Sequence, residues 1–161
     1  MNEKGYTLIE MAVVVLLIGL TIGIAVPKVR DTFAGDNLKK STRQLIGLTR
    51  ELRSTAVREQ LDYELHIDLD RQKFWSCSAD TTPEKRDELK RRASGLSTGI
   101  RISDVWLSGN EKKAQGEVIL RFFKKGYAQP ARIRIGSESR KLALVLTPYI
   151  PTVEVIEEEE G

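Results

Sequence analysis

The chain has 161 residues and a formal net charge of +3 at pH 7, with 26 lysines and arginines against 23 aspartates and glutamates. That balance is too even to indicate a protein that binds nucleic acid through a basic surface. The single cysteine excludes an intramolecular disulfide, and the single histidine leaves no histidine pair for a metal site.

The N-terminal segment is the most informative part of the sequence, because Glu10 is the one charge in an apolar stretch from Tyr6 to Val26. As an α-helix that stretch would be about 31 Å long, which matches the hydrocarbon thickness of a bilayer. We expect a transmembrane helix over residues 6–27, with a kink at Pro27, where a backbone donor is missing. A carboxylate inside such a helix costs up to about 3 kcal/mol, so Glu10 is expected to have a partner.

A cut between Gly5 and Tyr6 would create that partner. The new α-amine would lie four residues before Glu10 on the same helical face, and its pKa of about 8 would allow it a positive charge. In a filament, Glu10 of one subunit could pair with the amine of its neighbour and set the axial register. The alternative is a carboxylate that only reaches the membrane surface.

A family resemblance rests on the run Lys4-Gly5-Tyr6-Thr7-Leu8-Ile9-Glu10. It resembles the class III signal of type IV pilins and of the pseudopilins of type II secretion systems. The resemblance implies that residues 1–5 are a leader, that prepilin peptidase cuts between Gly5 and Tyr6, that Tyr6 is N-methylated, and that Glu10 is the assembly glutamate. The family usually has Phe where this chain has Tyr6. An ordinary secretory signal is cut after its apolar segment, whereas here the helix should stay on the mature protein.

Beyond Pro27 the sequence keeps a helical period, which predicts an amphipathic stalk helix over residues 28–60. Its apolar stripe comprises Leu38, Leu45, Leu48, Leu52 and Ala56. The run Gly35-Asp36-Asn37 is a weak point at which the helix could bend or fray. We expect the stripe to pack on the protein's own globular domain, since it is too short for the alternative, a coiled-coil seam.

From Leu61 the apolar period changes to two, which predicts a globular β domain over residues 61–156, followed by an acidic tail at 157–161. A helix is expected after Thr82, charged and largely solvated. Strands are predicted at Tyr63–Leu69, Lys73–Cys77, Ile100–Leu107, Glu117–Phe123, Ala131–Ile135, Lys141–Leu146 and Thr152–Ile156. The fold class is therefore α+β: a long N-terminal helix, transmembrane and then amphipathic, packed on a C-terminal antiparallel β-sandwich-like domain.

Catalytic and metal-binding motifs are missing from the sequence. It contains no G-x-S-x-G, no H-E-x-x-H and no P-loop. His66 falls on the polar face of its strand without a second histidine, and Cys77 is expected to be a small buried apolar residue. We therefore expect no enzyme activity, no catalytic residues, no metal site, no cofactor and no small-molecule substrate.

Segments beyond the N-terminal motif restrict the resemblance to one subgroup of this family. Three segments resemble the H-type minor pseudopilins and the related FimT and FimU minor pilins. They are the helix end Thr49–Glu59, the strand ending Ile67-Asp68-Leu69-Asp70 and an F-x-x-x-G element that ends at Gly126. Residues 79–96 have no counterpart in this resemblance. It implies a subunit at or near the tip of a periplasmic pseudopilus that helps export folded proteins.

The resemblance also implies partners and a location. The partners are prepilin peptidase, other major and minor pseudopilins, the inner-membrane assembly platform and membrane lipid. The location is the inner membrane, crossed once, with the C-terminal domain in the periplasm.

Three alternatives stay open at this point. The chain could be a minor pilin that primes type IV pilus assembly, a DNA-binding minor pilin of the FimT kind, or a single-span anchored domain that does not polymerise. Glu157–Glu160 would repel phosphate, so nucleic acid is not an expected partner.

Overall fold

The computed structural model describes residues 8–108 and 111–158, and the side chains of residues 22–34 lie outside that description. Gly5, Tyr6 and the end of the predicted acidic tail are therefore outside the described residues. Within the described ranges the elements are α1 (Leu8–Glu59), β1 (Tyr63–Asp68), β2 (Lys73–Ser78), α2 (Pro83–Arg91), β3 (Ser94–Gly95), β4 (Arg101–Leu107), β5 (Glu111–Lys113), β6 (Glu117–Phe122), β7 (Ala131–Gly136), β8 (Lys141–Leu146) and β9 (Glu154–Glu158).

The N-terminal helix α1 is one continuous element of 52 residues. Its backbone is helical at Pro27 and through Gly35-Asp36-Asn37, so the predicted weak point does not interrupt it. The amide of Asn37 donates a 3.0 Å hydrogen bond to the carbonyl of Thr98, which ties this turn of the helix to the β domain. A kink at Pro27 stays a prediction.

The predicted membrane span over residues 6–27 falls partly outside the described residues, which lack residues 6 and 7 and the side chains of 22–27. In the part of the chain that is described, no helix has an apolar stretch long enough to cross a membrane.

Two antiparallel sheets form the β domain. The four-stranded sheet has the order β3-β2-β1-β6 and the five-stranded sheet the order β5-β4-β7-β8-β9. This confirms the α+β class and the sandwich-like architecture. The very short strands β3 and β5 were not predicted, since two or three residues carry no readable period. Strand β9 runs two residues further than predicted, so Glu157 and Glu158 pair with Leu142 and Lys141 instead of belonging to a tail.

The core is built around the second half of α1, which contacts β1, β6 and β7. The predicted stripe is confirmed, since Leu38, Leu45, Leu52 and Ala56 are all buried and Leu48 packs against them half-buried. The strands contribute fully buried side chains to the same cluster, namely Leu65, Ile67, Leu120, Ile133 and Ile135.

Small polar residues share the buried face of α1 and were not recognised from the sequence. Ser41, Thr42 and Thr49 are all buried. The hydroxyl of Ser41 accepts a 3.0 Å hydrogen bond from the backbone N–H of Ser97, and Thr49 donates to the carbonyl of Ile46 at 2.9 Å. The small side chain of Ser41 lets the loop before β4 approach the helix closely.

The turn between β1 and β2 links the two sheets. Gln72 lies there in the left-handed region, with φ of 56°. Its side-chain amide accepts from the N–H of Ile102 at 2.7 Å and donates to the carbonyl of the same residue at 3.1 Å. Strand β4 has an irregular register between Ile102 and Asp104, so the Gln72 amide satisfies backbone groups where the ladder is disturbed.

Removal of residues 1–29 is expected to leave a soluble, monomeric and folded domain. The buried side chains described in α1 begin at Leu38, so the shortened chain would keep every one of them. Circular dichroism and sedimentation velocity measure the outcome. An unfolded product would show that the boundary between the N-terminal segment and the domain lies elsewhere.

Leu45→Ala in that domain is expected to lower the free energy of unfolding by about 2–5 kcal/mol, because Leu45 is fully buried and its removal leaves a cavity. Arg50→Ala on the exposed side of the same helix is the matched control and should stay within about 0.5 kcal/mol. Urea denaturation followed by circular dichroism measures both. Equal effects of the two changes would contradict the packing of this face.

Candidate functional site

The first candidate site is the N-terminal part of α1, where apolar side chains are exposed on all sides of the helix. Leu8 is 89% exposed and Ile9 72% exposed. The same holds further along the helix for Met11, Val13, Val14, Val15, Leu16, Leu17, Ile18 and Leu20. An apolar surface this continuous marks a place where lipid or other protein chains are expected to cover the helix.

Glu10 lies in the first turn of α1, where a carboxylate is favoured by the partial positive charge of the helix N-terminus. The other residues predicted for processing, Gly5 and Tyr6, lie outside the described residues. Their placement relative to Glu10 therefore stays a prediction.

The second candidate site was not recognised from the sequence and lies on the outer face of the four-stranded sheet. Glu64 pairs directly with Cys77 across β1 and β2, and His66 pairs with Trp75. Because side chains alternate along a strand, these four side chains point to the same face. Helix α2 contacts β2 and covers this face, so Glu64 and His66 are only 7% and 4% exposed.

His66 is held on one face of its ring and at both nitrogens. Its ring stacks on Trp75 with the centroids 5.1 Å apart and 13° between the planes. Its Nδ1 lies 2.7 Å from Oε1 of Glu117 on β6, whose other oxygen accepts from Lys90 of α2 at 2.8 Å. Its Nε2 lies 3.4 Å from Oε2 of Glu64 and 3.5 Å from Sγ of Cys77.

The charges around this cluster are partly balanced. Arg86 of α2 places Nη1 3.5 Å from Oε2 of Glu64, and Arg121 of β6 places Nε 3.3 Å from Oε1. Oε2 of Glu64 nevertheless accepts no hydrogen bond from the described residues, although it is buried. A buried carboxylate oxygen without a hydrogen bond costs free energy, which distinguishes this atom from the rest of the network.

Two pKa shifts follow from the same packing. Burial raises the pKa of the Cys77 thiol, which outweighs the opposing charge of Arg86. Partial burial of Glu117 opposes its ionisation, but hydrogen bonds from Lys90 and His66 outweigh this and lower its pKa. Glu117 is therefore an anion near neutral pH, which suits an acceptor that fixes the imidazole through Nδ1–H.

The strand alternation already placed Glu64 and His66 on one face, and the hairpin register could have placed Cys77 beside them. The missing information was the position of α2, whose charged sequence predicted a solvated helix. No residue of α2 is buried, yet the helix removes solvent from the polar side chains beneath it. Cys77 is buried as predicted, but in this polar cluster and not among the apolar residues of the core.

Comparison with known proteins gives likenesses of three kinds. Residues 1–26 match the family described as the prokaryotic N-terminal methylation motif. The type II secretion system protein H of Pseudomonas aeruginosa is 27% identical over 166 residues, which cover 95% of this chain and 96% of the relative.

Solved structures share the fold. A crystal structure of the minor pseudopilin EpsH from the type II secretion system of Vibrio cholerae has a TM-score of 0.54 at 14% identity, covering 78% of this chain and 97% of that one. A second structure of EpsH has a TM-score of 0.51 at 13% identity, with 75% and 97% covered. The N-terminal motif, the relative that matches nearly the whole chain and the shared fold make this chain similar to the H-type minor pseudopilins.

Proposed function

We propose that the chain works as a non-enzymatic minor pseudopilin of a type II secretion system, at or near the tip of a periplasmic pseudopilus that helps export folded proteins. The similarity to protein H of Pseudomonas aeruginosa supports the secretion system, and the N-terminal methylation motif supports a filament subunit. Prepilin peptidase, other pseudopilins, the inner-membrane assembly platform and membrane lipid are its proposed partners.

This proposal rests on one observation: helix α1 is exposed and apolar at its N-terminal end but buried in the β domain along its second half. Residues 8–21 of α1 expose apolar side chains, whereas the turns from Leu38 to Ala56 are buried in the β domain. The β domain and the exposed segment are therefore joined through continuous helix. This arrangement suits a subunit whose N-terminal segment is covered by lipid or by neighbouring helices while its domain presents a separate surface.

The proposed cycle follows from the physics of that segment. Before assembly the helix crosses the inner membrane once, with the β domain in the periplasm, and the assembly platform moves it from lipid into the filament core. Apolar side chains stay out of water in both states, so the free-energy difference between them is small. In the filament, Glu10 is proposed to pair with the N-terminal amine of Tyr6 or of a neighbouring subunit and so to set the axial register.

The edge strand β9 bears on one alternative, a minor pilin that binds DNA. It exposes Glu154 and Glu157, and Glu158 lies half-buried beside them. Acidic side chains on a sheet edge repel phosphate and also prevent uncontrolled pairing with another strand. Nucleic acid is therefore not among the proposed partners.

Gly5→Ala is expected to slow removal of residues 1–5 by a coexpressed prepilin peptidase, because the subsite before the cut should accept only a very small side chain. Gly19→Ala adds the same methyl group in the helix, where no described atom beyond the adjacent helix backbone lies within 4 Å of it, and is the matched control. Intact-mass measurement over time follows the cleavage. If wild-type protein keeps residues 1–5 beside an active peptidase, the chain is not processed as a pilin.

Glu10→Leu is expected to leave membrane insertion and cleavage intact but to reduce assembly at least tenfold. The N-terminal amine would lose its counter-charge in a medium of low dielectric, which costs about 3–5 kcal/mol. Glu10→Gln should be intermediate, and Met11→Leu, an apolar exchange one residue on, should behave as wild type. The measurement is crosslinking to neighbouring pseudopilins in membranes, together with secretion.

Secretion and crosslinking at wild-type levels in the Glu10→Leu variant would contradict the pairing of charges. A partial loss is compatible with a tip subunit, since such a subunit has no neighbour on one side.

A further inference from the structure

We propose that Glu64, His66 and Cys77 bind a zinc ion between the four-stranded sheet and helix α2. Their ligand atoms lie within 4.8 Å of one another, and all three residues are buried. The site is separate from the N-terminal helix and does not depend on the proposed assembly function.

The distances between the ligand atoms fit a tetrahedral zinc site. With zinc–nitrogen and zinc–oxygen bonds of about 2.1 Å and a zinc–sulfur bond of about 2.3 Å, the edges of a tetrahedron are about 3.4 Å for N–O and about 3.6 Å for N–S. The observed separations are 3.4 Å from His66 Nε2 to Glu64 Oε2 and 3.5 Å from Nε2 to Cys77 Sγ. The third pair, a carboxylate oxygen of Glu64 and Cys77 Sγ, lies within 4.8 Å, so a side-chain shift of about 1 Å would let the three groups enclose the ion.

The chemistry of the three groups selects the metal. A thiolate together with an imidazole and a carboxylate suits Zn²⁺, whereas Ca²⁺ and Mg²⁺ prefer oxygen ligands alone. Three protein ligands leave the fourth tetrahedral position for a water molecule. On binding, the Cys77 thiol gives up its proton to solvent, and the two ligand anions balance the charge of the ion.

The orientation of His66 supports the assignment. The carboxylate of Glu117 lies 2.7 Å from Nδ1, so the proton of a neutral imidazole is placed there and the lone pair of Nε2 faces Glu64 and Cys77. A carboxylate on the far nitrogen of a histidine ligand is a recurrent feature of zinc sites, where it fixes the tautomer and raises ligand basicity. Stacking on Trp75 holds the ring plane in that direction.

A further observation in favour of the zinc site is the Glu64 oxygen that has no hydrogen bond. Oε2 is buried and accepts no hydrogen bond among the described residues, and it faces the Nε2 lone pair at 3.4 Å. A metal ion between Nε2 and Oε2 would give this oxygen the partner that the hydrogen bonds of the described residues do not supply. Arg86 places Nη1 3.5 Å from the same oxygen, beyond a hydrogen bond, and Arg121 places Nε 3.3 Å from Oε1.

The competing arrangement needs no metal. A protonated His66 could donate to Glu64 through Nε2 and to Glu117 through Nδ1, with Arg86 completing the balance of charge. The two arrangements differ in whether the cluster binds one metal ion through sulfur, and that difference can be measured.

The experiment uses the full chain in detergent micelles, stripped of metal with a chelator and kept reduced. Titration with Co²⁺, a spectroscopic substitute for zinc, should produce a thiolate-to-metal charge-transfer band and the visible bands of a tetrahedral site, saturating at one equivalent. Because Cys77 is the only cysteine, such a band can come from no other residue. Zn²⁺ should displace the cobalt and raise Tm, by on the order of 10 °C at a hundredfold excess over Kd.

The variants separate the ligands from their surroundings. Cys77→Ser and His66→Gln should each weaken zinc binding at least about 100-fold, and Glu117→Gln should weaken it about 10- to 100-fold through the orientation of His66. Asp68→Asn is the matched control, because Asp68 is a buried carboxylate on the same face that instead accepts a hydrogen bond from the N–H of Arg71. Circular dichroism of each metal-free variant checks that it is folded.

Two results would overturn the proposal. One is folded wild-type protein that retains no stoichiometric zinc and shows no thiolate band with cobalt, which would leave the ion-pair network as the role of the cluster. The other is zinc binding of wild-type strength in folded Cys77→Ser, which would place the metal elsewhere on the chain.

Discussion

The packing of the second half of α1 against both sheets is the interaction on which the rest of the structure depends. Leu45 and Ala56 have no exposed surface, and the strands of both sheets present their apolar faces to this part of the helix. A sheet with one apolar face is unstable until that face is covered, and here a single helix contributes to covering both sheets. The stalk is therefore part of the domain's core and not a separate rod attached to it.

That arrangement constrains the N-terminal segment. Because α1 is one continuous helix, its exposed residues 8–21 are attached to an element that is held inside the β domain. A force applied to the N-terminal segment is transmitted through backbone hydrogen bonds to the core, without an intervening flexible loop. Such coupling suits a subunit that is moved through its N-terminal helix.

The outer face of the four-stranded sheet illustrates a different principle. Helix α2 buries none of its own residues, but it excludes water from Glu64, His66 and Cys77 beneath it. On an open sheet water would solvate these polar groups, but under α2 they need partners within the protein. Arg86 and Arg121 contact Glu64, and Glu117 contacts His66. Residues 79–96, the segment without a counterpart in the family resemblance, thus create a buried polar environment on this face of the sheet.

The sequence by itself determined the longer elements and their order. Strong local patterns account for this. In the stalk, apolar residues recur at spacings of seven, three and four, and from Leu61 they alternate with polar residues. At the N-terminus, Gly5, Glu10 and an apolar run follow one another in a fixed order. It also predicted the buried face of α1, because Leu38, Leu45 and Leu52 lie on one side of any helix.

The tertiary structure alone decided which strands share a sheet and what lies on their second faces. The alternation of side chains along β1 places Glu64 and His66 on one face, but it does not show whether water or another element covers that face. The charged sequence of α2 indicated a solvated helix and therefore an open face. Two further features could not be read from local patterns for the same reason. Ser41 is buried although its side chain is polar, and the Gln72 amide bonds the backbone of a strand thirty residues away. In each case the deciding contact is made by residues distant in the chain, so no local pattern records it.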